Sequence, residues 1–195
     1  MRTLAWIILL LAALAGCDGK KQDFDKPQDL SGVDYGKDFH LTDFDGKPRS
    51  LSGFKGKAVV LFFGYTHCPD VCPTTLSDLA AALRQMGKDA GRVQVLFVTI
   101  DPERDTPQIL KQYVPSFDPG FLGLYGNALE TKKVADEFHV VYRKVQIEDS
   151  MKHYAMDHTA GCFVFDPSGR LRIRMEYGEK PAEMARDLES MLGTH

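Results

Sequence analysis

Short apolar runs alternate with amphipathic stretches along the chain, and this alternation predicts a mixed α/β domain. Residues 58–64 and 93–100 are continuous apolar runs, which is the pattern of strands buried on both faces of a sheet. Between them, the apolar positions from Leu76 to Met86 share one face of a helix, and Gly87 marks its end. Strand, helix and strand in this order predict a βαβ unit with parallel strands and a right-handed crossover.

The flanking segments complete the predicted fold. Residues 39–57 are broken by glycines and are predicted to form an N-terminal hairpin. Thr106 can cap a helix whose first position, Pro107, suits a helix start. Further helices are predicted over 129–138 and 181–192, strands over 140–148, 159–166 and 170–175, and an irregular segment over 149–157. This order is that of a thioredoxin-like fold, with a mixed central sheet flanked by helices.

The first 34 residues precede this domain and are predicted to be a targeting segment and a linker. Arg2 is followed by an apolar run over 4–15, which is shorter than the roughly 20 residues that span a bilayer and has the length of a signal-peptide core. The run ends in Leu14-Ala15-Gly16-Cys17, which resembles the cleavage box of bacterial lipoproteins. We therefore predict a lipoprotein signal peptide over 1–17 with lipidated Cys17, a flexible linker over 18–34 and a domain over 35–195. An ordinary secretory signal with a chance cysteine is the alternative.

Asp18, directly after the predicted lipidated cysteine, resembles the signal that retains lipoproteins in the inner membrane of some Gram-negative bacteria. The predicted location is thus the bacterial inner membrane, with a lipid anchor and the domain facing the periplasm. The net charge is −3 and the sequence has no basic block, so nothing indicates a nucleic-acid partner. No feature calls for an obligate dimer, and a monomer is expected.

The four cysteines divide into different expected roles. Cys17 is assigned to the anchor, and Cys162 lies in a predicted strand as a buried small hydrophobe. Cys68 and Cys72 form a close pair at the start of the first helix. Because an exported compartment is oxidising, that pair is a disulfide, a metal site, or both in turn. The helix amino terminus favours the thiolate that metal binding and redox chemistry both require.

The predicted topology brings His158 to the cysteine pair. Cys68 and Asp101 follow the carboxyl ends of two parallel strands, and His158 precedes a strand antiparallel to them, so all three are expected at one sheet edge. Two thiolates and one imidazole form a soft ligand set that favours Cu(I), whereas structural zinc normally needs four protein ligands. The weak candidates for a fourth ligand are His67, His153, Met156 and Asp101. A structural disulfide, and a histidine with a purely surface or core role, are the alternatives.

Three sequence blocks resemble the Sco/SenC family. The first runs from Gly64 through Tyr65-Thr66-His67-Cys68-Pro69-Asp70-Val71-Cys72-Pro73, and the second is Thr99-Ile100-Asp101-Pro102-Glu103-Arg104-Asp105-Thr106-Pro107. The third is Asp157-His158-Thr159 followed by Phe165-Asp166-Pro167-Ser168-Gly169. The blocks occur in the family's order across the predicted domain.

The resemblance implies a membrane-anchored, thioredoxin-fold copper protein that assists assembly of the binuclear copper A centre of cytochrome oxidase subunit II. It implies Cys68, Cys72 and His158 as ligands for Cu(I), with Cu(II) as a second state, and subunit II or another copper chaperone as the partner. Asp101 matches an acidic family position near the site. Most relatives use a transmembrane anchor, so the predicted lipid anchor is a departure.

Two other functions stay open at the level of sequence. A thiol–disulfide reductase would use Cys68 and Cys72 as its redox pair and keep the oxidase or other exported cysteines reduced. A metallochaperone of this kind is not an enzyme in the usual sense, whereas the reductase would be one. The peroxidatic loop of peroxiredoxins is faintly similar to the residues around Cys72, but that loop carries a threonine and a proline where this chain has Pro69 and Tyr65. The peroxidase ranks lowest for that reason.

Overall fold

A computed structural model of the chain describes residues 27–147 and 154–193. Eight strands form one mixed sheet in the order β1-β10-β9-β4-β5-β6-β2-β3, and β7 and β8 form a separate hairpin. The strands are β1 (Gln28–Asp29), β2 (His40–Asp43), β3 (Pro48–Ser50), β4 (Ala58–Gly64), β5 (Val93–Thr99), β6 (Leu122–Tyr125), β7 (Tyr142–Gln146), β8 (Tyr154–His158), β9 (Cys162–Phe165) and β10 (Leu171–Met175). The α-helices are α1 (Val71–Met86), α2 (Pro107–Tyr113), α3 (Ala128–Glu137) and α4 (Pro181–Leu192). This is the predicted thioredoxin-like class, a mixed central sheet flanked by helices.

The two predicted apolar strands form the centre of the sheet. β4 and β5 pair in parallel from Ala58 opposite Val93 to Gly64 opposite Thr99. The second edge of β4 pairs antiparallel with β9, so every residue of β4 is buried. A continuous apolar run is stable there because both faces of the strand are covered by other side chains. The parallel pairing also places the ends of β4 and β5 side by side, which fixes the position of the loops that follow them.

Two helix starts have the predicted form. α1 buries an apolar face that includes Leu76, Leu79 and Leu83, as its periodicity indicates. At the start of α2 the Thr106 hydroxyl accepts a hydrogen bond from the Ile109 amide at 3.3 Å, and Pro107 occupies the first turn, so the predicted cap is confirmed.

Part of the predicted linker belongs to the sheet. Gln28 and Asp29 pair with β10, opposite Arg174 and Ile173, and Leu30 is buried in the core. The expectation of a free linker up to residue 34 therefore does not hold for these residues. Burial of the apolar Leu30 side chain helps to fix this short edge strand on the sheet. The sequence prediction missed it because the residues around Leu30 are polar. Residues 1–26, with the predicted signal peptide and Cys17, lie outside the described residues, as do His153 and His195.

The segment around His158 also differs from the sequence prediction. Residues 154–157 were expected to be irregular and His158 to precede a strand starting at 159, but Tyr154–His158 is itself strand β8 and β9 begins only at Cys162. The connection turns at Gly161, whose φ of 111° is unfavourable for other residues and whose added Cβ would meet the Met175 carbonyl oxygen at 2.9 Å. His158 thus ends one strand instead of opening the next, yet it stays at the predicted edge.

Candidate functional site

The loop between β4 and α1 presents the two cysteines at different depths. The Cys68 amide donates to the Tyr65 carbonyl at 3.2 Å, which closes a tight turn directly after the strand. Cys68 is half-buried, whereas Cys72, in the first turn of α1, is fully buried. The Cys72 amide donates to the Cys68 sulfur at 3.4 Å, so one of the unpaired amides at the helix start faces that sulfur. The pair therefore has one accessible sulfur and one enclosed sulfur.

Gly64 makes room for the enclosed sulfur. A Cβ on Gly64 would lie 2.9 Å from the Cys72 sulfur and 2.8 Å from a ring carbon of Phe97. No larger residue fits without movement of these buried neighbours. The close approach of the strand backbone to Cys72 therefore depends on glycine at this position.

His158 reaches the cysteine pair from the hairpin. Its Nε2 atom lies 3.9 Å from the Cys72 sulfur, and its Nδ1 atom lies 3.0 Å from the Thr159 carbonyl oxygen. A carbonyl oxygen can only accept, so Nδ1 carries a proton and donates it, which leaves the Nε2 lone pair facing the sulfur in the neutral ring. The Tyr65 ring packs edge-on against the imidazole with ring centroids 6.1 Å apart. This is the ring orientation that an imidazole ligand to a metal requires.

The two thiols have opposite acidities. The hydrogen bond from the Cys72 side chain, helped by the amides of Asp70 and Cys72, lowers the pKa of Cys68 to about 5. The same hydrogen bond, together with burial, raises the pKa of Cys72 far above its ordinary value. At neutral pH the metal-free pair therefore shares one proton, held on Cys72, and Cys68 is a thiolate.

Cys68, Cys72 and His158 lie close together, but their spacing is not yet that of a metal site. Over residues 27–147 and 154–193, no group of three histidine, cysteine or acidic side chains already has the spacing that holds a metal ion. Neither Cys68 nor Cys72 is in a disulfide in this arrangement. A metal–ligand bond to sulfur or nitrogen is about 2 Å long, so an ion between Cys72 and His158 fits the 3.9 Å separation with little movement.

Asp101 is at the predicted edge, but its carboxylate is already engaged. Oδ1 accepts from the Tyr154 hydroxyl at 2.8 Å, and Oδ2 accepts from Arg104 Nε at 2.5 Å. The residue is only 1% exposed. Both carboxylate oxygens of Asp101 therefore accept hydrogen bonds in this arrangement. Asp101 could act as a fourth ligand only if at least one of these hydrogen bonds broke.

The other candidates for a fourth ligand are placed as follows. His67 is exposed, with its Nδ1 atom 3.2 Å from the Thr66 hydroxyl. Met156 is buried on β8, and His153 lies outside the described residues. Cys162 is buried in β9 as predicted, and burial raises its pKa, so it is an inert core thiol.

Asp105 is hydrogen-bonded to the loop that carries Cys68. This residue was not singled out from the sequence. Its carboxylate accepts from the Thr66 amide at 3.0 Å, the Thr66 hydroxyl at 2.6 Å and the Thr99 hydroxyl at 2.6 Å. Burial raises the pKa of this carboxyl group, which the three donors counteract. The available signal was its place in a loop after a buried strand, where polar residues of neighbouring loops meet.

Comparison with known proteins gives a consistent result. Residues 27–193 match the family described as SCO1/SenC. An SCO2-like protein of Rickettsia conorii is 36% identical over 152 residues, covering 78% of this chain and 74% of the relative. The human mitochondrial SCO2 homolog is 40% identical over 136 residues, which cover 68% of this chain and 50% of that protein. This chain thus spans about half the length of the human relative.

A solved structure shows the same fold. Copper-bound ScoI of Bradyrhizobium japonicum is similar with a TM-score of 0.74 and 45% identity, covering 81% of this chain and 99% of that one. In the described part of this chain, no helix is both long enough and apolar enough to cross a bilayer.

Proposed function

This chain belongs to the SCO1/SenC family, and we propose that it is a copper-binding metallochaperone that assists assembly of the copper A centre of a cytochrome oxidase. The observation that carries the proposal is the convergence of Cys68, Cys72 and His158 at one sheet edge, with Nε2 of the histidine 3.9 Å from the Cys72 sulfur. Copper is present in the similar structure of Bradyrhizobium japonicum ScoI. Copper is the cargo of the protein in this proposal.

The donor set suits Cu(I). Thiolate sulfur is a soft ligand that favours Cu(I) over hard cations, and a neutral imidazole completes a three-coordinate shell. Cys68 is a thiolate at neutral pH, and a copper ion would displace the remaining proton from Cys72. Cu(II) is the second oxidation state that we propose for the same ligands. With Asp101 engaged by Tyr154 and Arg104, the shell stays open to a ligand from a recipient, which suits transfer.

The anchor and partner belong to the same proposal. A lipidated Cys17 would hold the domain at the periplasmic face of the inner membrane. Subunit II or another copper chaperone is the proposed recipient, and the chain is proposed to act as a monomer. The half-buried position of Cys68 supports this reading, because an incoming thiolate can reach it directly.

A reductase function is the second candidate, and the asymmetry of the thiols supports it. Cys68 is accessible and a thiolate, so its sulfur can attack a substrate disulfide and form a mixed disulfide. Cys72 then loses its proton and attacks Cys68, which releases the substrate as a dithiol and leaves the Cys68–Cys72 pair oxidised. His158 has no necessary part in this exchange.

A Cu(I) titration separates the two functions. The reduced chain lacking residues 1–17 is titrated anaerobically against a competing chelator, beside His158→Ala and the control His40→Ala, an exposed histidine on β2. We expect one tightly bound copper per chain, clear weakening by His158→Ala and no change with His40→Ala. Copper binding that is absent, or equal in the two variants, would favour the reductase. That activity is then measured as thiols formed in an oxidised copper A domain.

A further inference from the structure

Within residues 27–147 and 154–193, no strand ladder joins the hairpin that carries His158 to the main sheet. β7 and β8 pair only with each other among the described residues, from Tyr142 opposite His158 to Gln146 opposite Tyr154. An isolated two-stranded hairpin is only marginally stable in water. The position of His158 relative to the cysteines therefore depends on how side chains attach the hairpin to the domain.

Tyr154, the first residue of β8, is attached at three points. Its hydroxyl donates to Asp101 Oδ1 at 2.8 Å, and its carbonyl oxygen accepts from Arg104 Nη1 at 2.9 Å. The Arg104 guanidinium lies 3.6 Å from the centroid of the Tyr154 ring. Arg104 is itself fixed by its 2.5 Å hydrogen bond to Asp101 Oδ2. We refer to these three residues as the Asp101–Arg104–Tyr154 cluster.

The cluster also touches the cysteine loop. The Arg104 guanidinium lies 5.8 Å from the ring centroid of Tyr65, which precedes Cys68 in the same loop. The Tyr65 ring also packs edge-on against the imidazole of His158, with 6.1 Å between the ring centroids. One guanidinium thus contacts a tyrosine of the cysteine loop and a tyrosine of the strand that carries the histidine. Cation–π contacts with a partly buried guanidinium add to the hydrogen bonds.

We propose that the Asp101–Arg104–Tyr154 cluster positions His158 opposite the cysteine pair. The three residues act through strand β8 and do not touch the metal themselves. Both oxygens of Asp101 are used within the cluster, the Tyr154 hydroxyl donates to one of them, and the Arg104 guanidinium has no acceptor atom with which to bind a metal. The inference rests on the proposed copper function. Beyond that function, the inference says what holds the histidine ligand in place. The ion pair between Asp101 and Arg104 binds Tyr154 at the first position of β8, and His158 is the last residue of the same strand.

Tyr154→Phe tests the cluster with little risk to folding, because the ring and its packing are retained. Tyr177→Phe is the matched control, since it removes the same atom from an exposed tyrosine in the turn after β10, outside the hairpin. We expect Tyr154→Phe to weaken Cu(I) binding about tenfold, the equivalent of one lost hydrogen bond to a charged group, and Tyr177→Phe to leave it unchanged. Arg104→Lys, which keeps the charge but loses the two-pronged contact, is expected to act in the same direction.

A double-mutant cycle separates positioning from general destabilisation. If the cluster acts through His158, Tyr154→Phe has no further effect on Cu(I) affinity in a His158→Ala background. Equal weakening in both backgrounds, or none in the parent protein, would overturn the proposal. The chain lacking residues 1–17 serves throughout, because the described core extends only from Leu30 to Leu192.

The metal-free protein gives a readout that does not depend on the copper function. If His158→Ala leaves Cu(I) binding intact, the three-ligand proposal fails, and the cluster is judged by NMR alone. Tyr154→Phe is expected to shift the imidazole resonances of His158 and to accelerate amide exchange over 155–158, whereas Tyr177→Phe changes neither. Unchanged resonances and exchange in Tyr154→Phe would then reject the positioning role.

Discussion

The Nε2 atom of His158 lies 3.9 Å from the sulfur of Cys72, although 86 positions separate the two residues in the chain. The cysteine belongs to the first turn of α1, and the histidine ends strand β8, which pairs with β7 and, in the described part of the chain, with no other strand. The site therefore exists only when the hairpin is docked on the sheet edge. Changes at the docking contacts are expected to act on the histidine and to leave the cysteine pair intact.

The different acidities of the thiols predict selective chemistry at Cys68. In the metal-free reduced protein, alkylation by iodoacetamide should proceed at Cys68 first, and its rate should rise with pH through an inflection near 5, because the hydrogen bond from Cys72 stabilises the thiolate. Mass spectrometry of quenched samples locates the modified residue. Cys72→Ala should move the inflection upward, towards the ordinary thiol value. Cys162→Ala, a buried thiol in β9, should not move it.

The close contact of Gly64 with Cys72 predicts a steric effect on stability. Gly64→Ala places a methyl group 2.9 Å from the Cys72 sulfur, and overpacking of this kind typically costs roughly 1–3 kcal/mol of unfolding free energy. Gly53→Ala is the control, because nothing lies within 4 Å of its added Cβ and the residue is exposed. Chemical denaturation of both variants measures the difference. Equal stability of the two would show that the strand can move away from the sulfur without cost.

Local patterns were sufficient to predict the centre of the fold. The continuous apolar run of β4 ends at Gly64 as predicted, and the periodicity of α1 identified its buried face. The shared edge of Cys68 and Asp101 followed from the direction of two parallel strands. The placement of His158 there followed from an antiparallel strand expected to begin at 159, although β9 begins only at Cys162. Each of these features is set by burial of a regular element, which leaves a clear trace in the order of apolar residues.

The supporting contacts could not be predicted in the same way. Tyr154 lies in a polar stretch that was expected to be irregular, and its role depends on Asp101 and Arg104, about 50 positions earlier. Likewise, the attachment of Gln28 to β10 joins two ends of the domain. No spacing rule connects residues so far apart, because their contact is decided by how complete elements pack. The sequence therefore indicated which atoms could bind a metal, whereas the contacts that surround them are visible only in the structure.

Removal of the buried Thr99 hydroxyl is expected to lower the unfolding free energy measurably. Its Oγ1 donates to Asp105 at 2.6 Å and accepts from the Asp101 amide at 3.0 Å. Thr99→Val therefore removes one of the three donors to the buried Asp105 carboxylate and leaves the Asp101 amide without this acceptor. We expect a loss of about 1–3 kcal/mol in unfolding free energy. Thr131→Val is the control: that hydroxyl is also buried but has no partner in the described part of the chain, so its loss should be neutral or stabilising. Thermal unfolding of both variants distinguishes them.

A pair of carboxyl groups away from the metal site predicts a stability change with pH. Glu179 is 7% exposed, and burial, followed by its hydrogen bond to Asp187, raises the pKa of Glu179 from 4.5 to about 8. The folded protein therefore binds this proton more tightly than the unfolded chain does. Unfolding free energy consequently falls as pH rises from about 4.5, and the fall ends once the pH has passed about 8.

Glu179→Gln tests this pH dependence, because glutamine has nearly the same shape as glutamate but no carboxyl group that can titrate. The amide can donate to Asp187 at every pH, so the variant should lose less stability than the parent between pH 5 and 9, a window chosen around the raised pKa of about 8. Urea unfolding at several pH values in that window measures the slope. Glu103→Gln is the control, because its exposed carboxylate forms a surface ion pair with Lys144, and such pairs contribute little. A parent and a Glu179→Gln variant with parallel pH profiles would mean that Glu179 is ionised in the folded protein throughout.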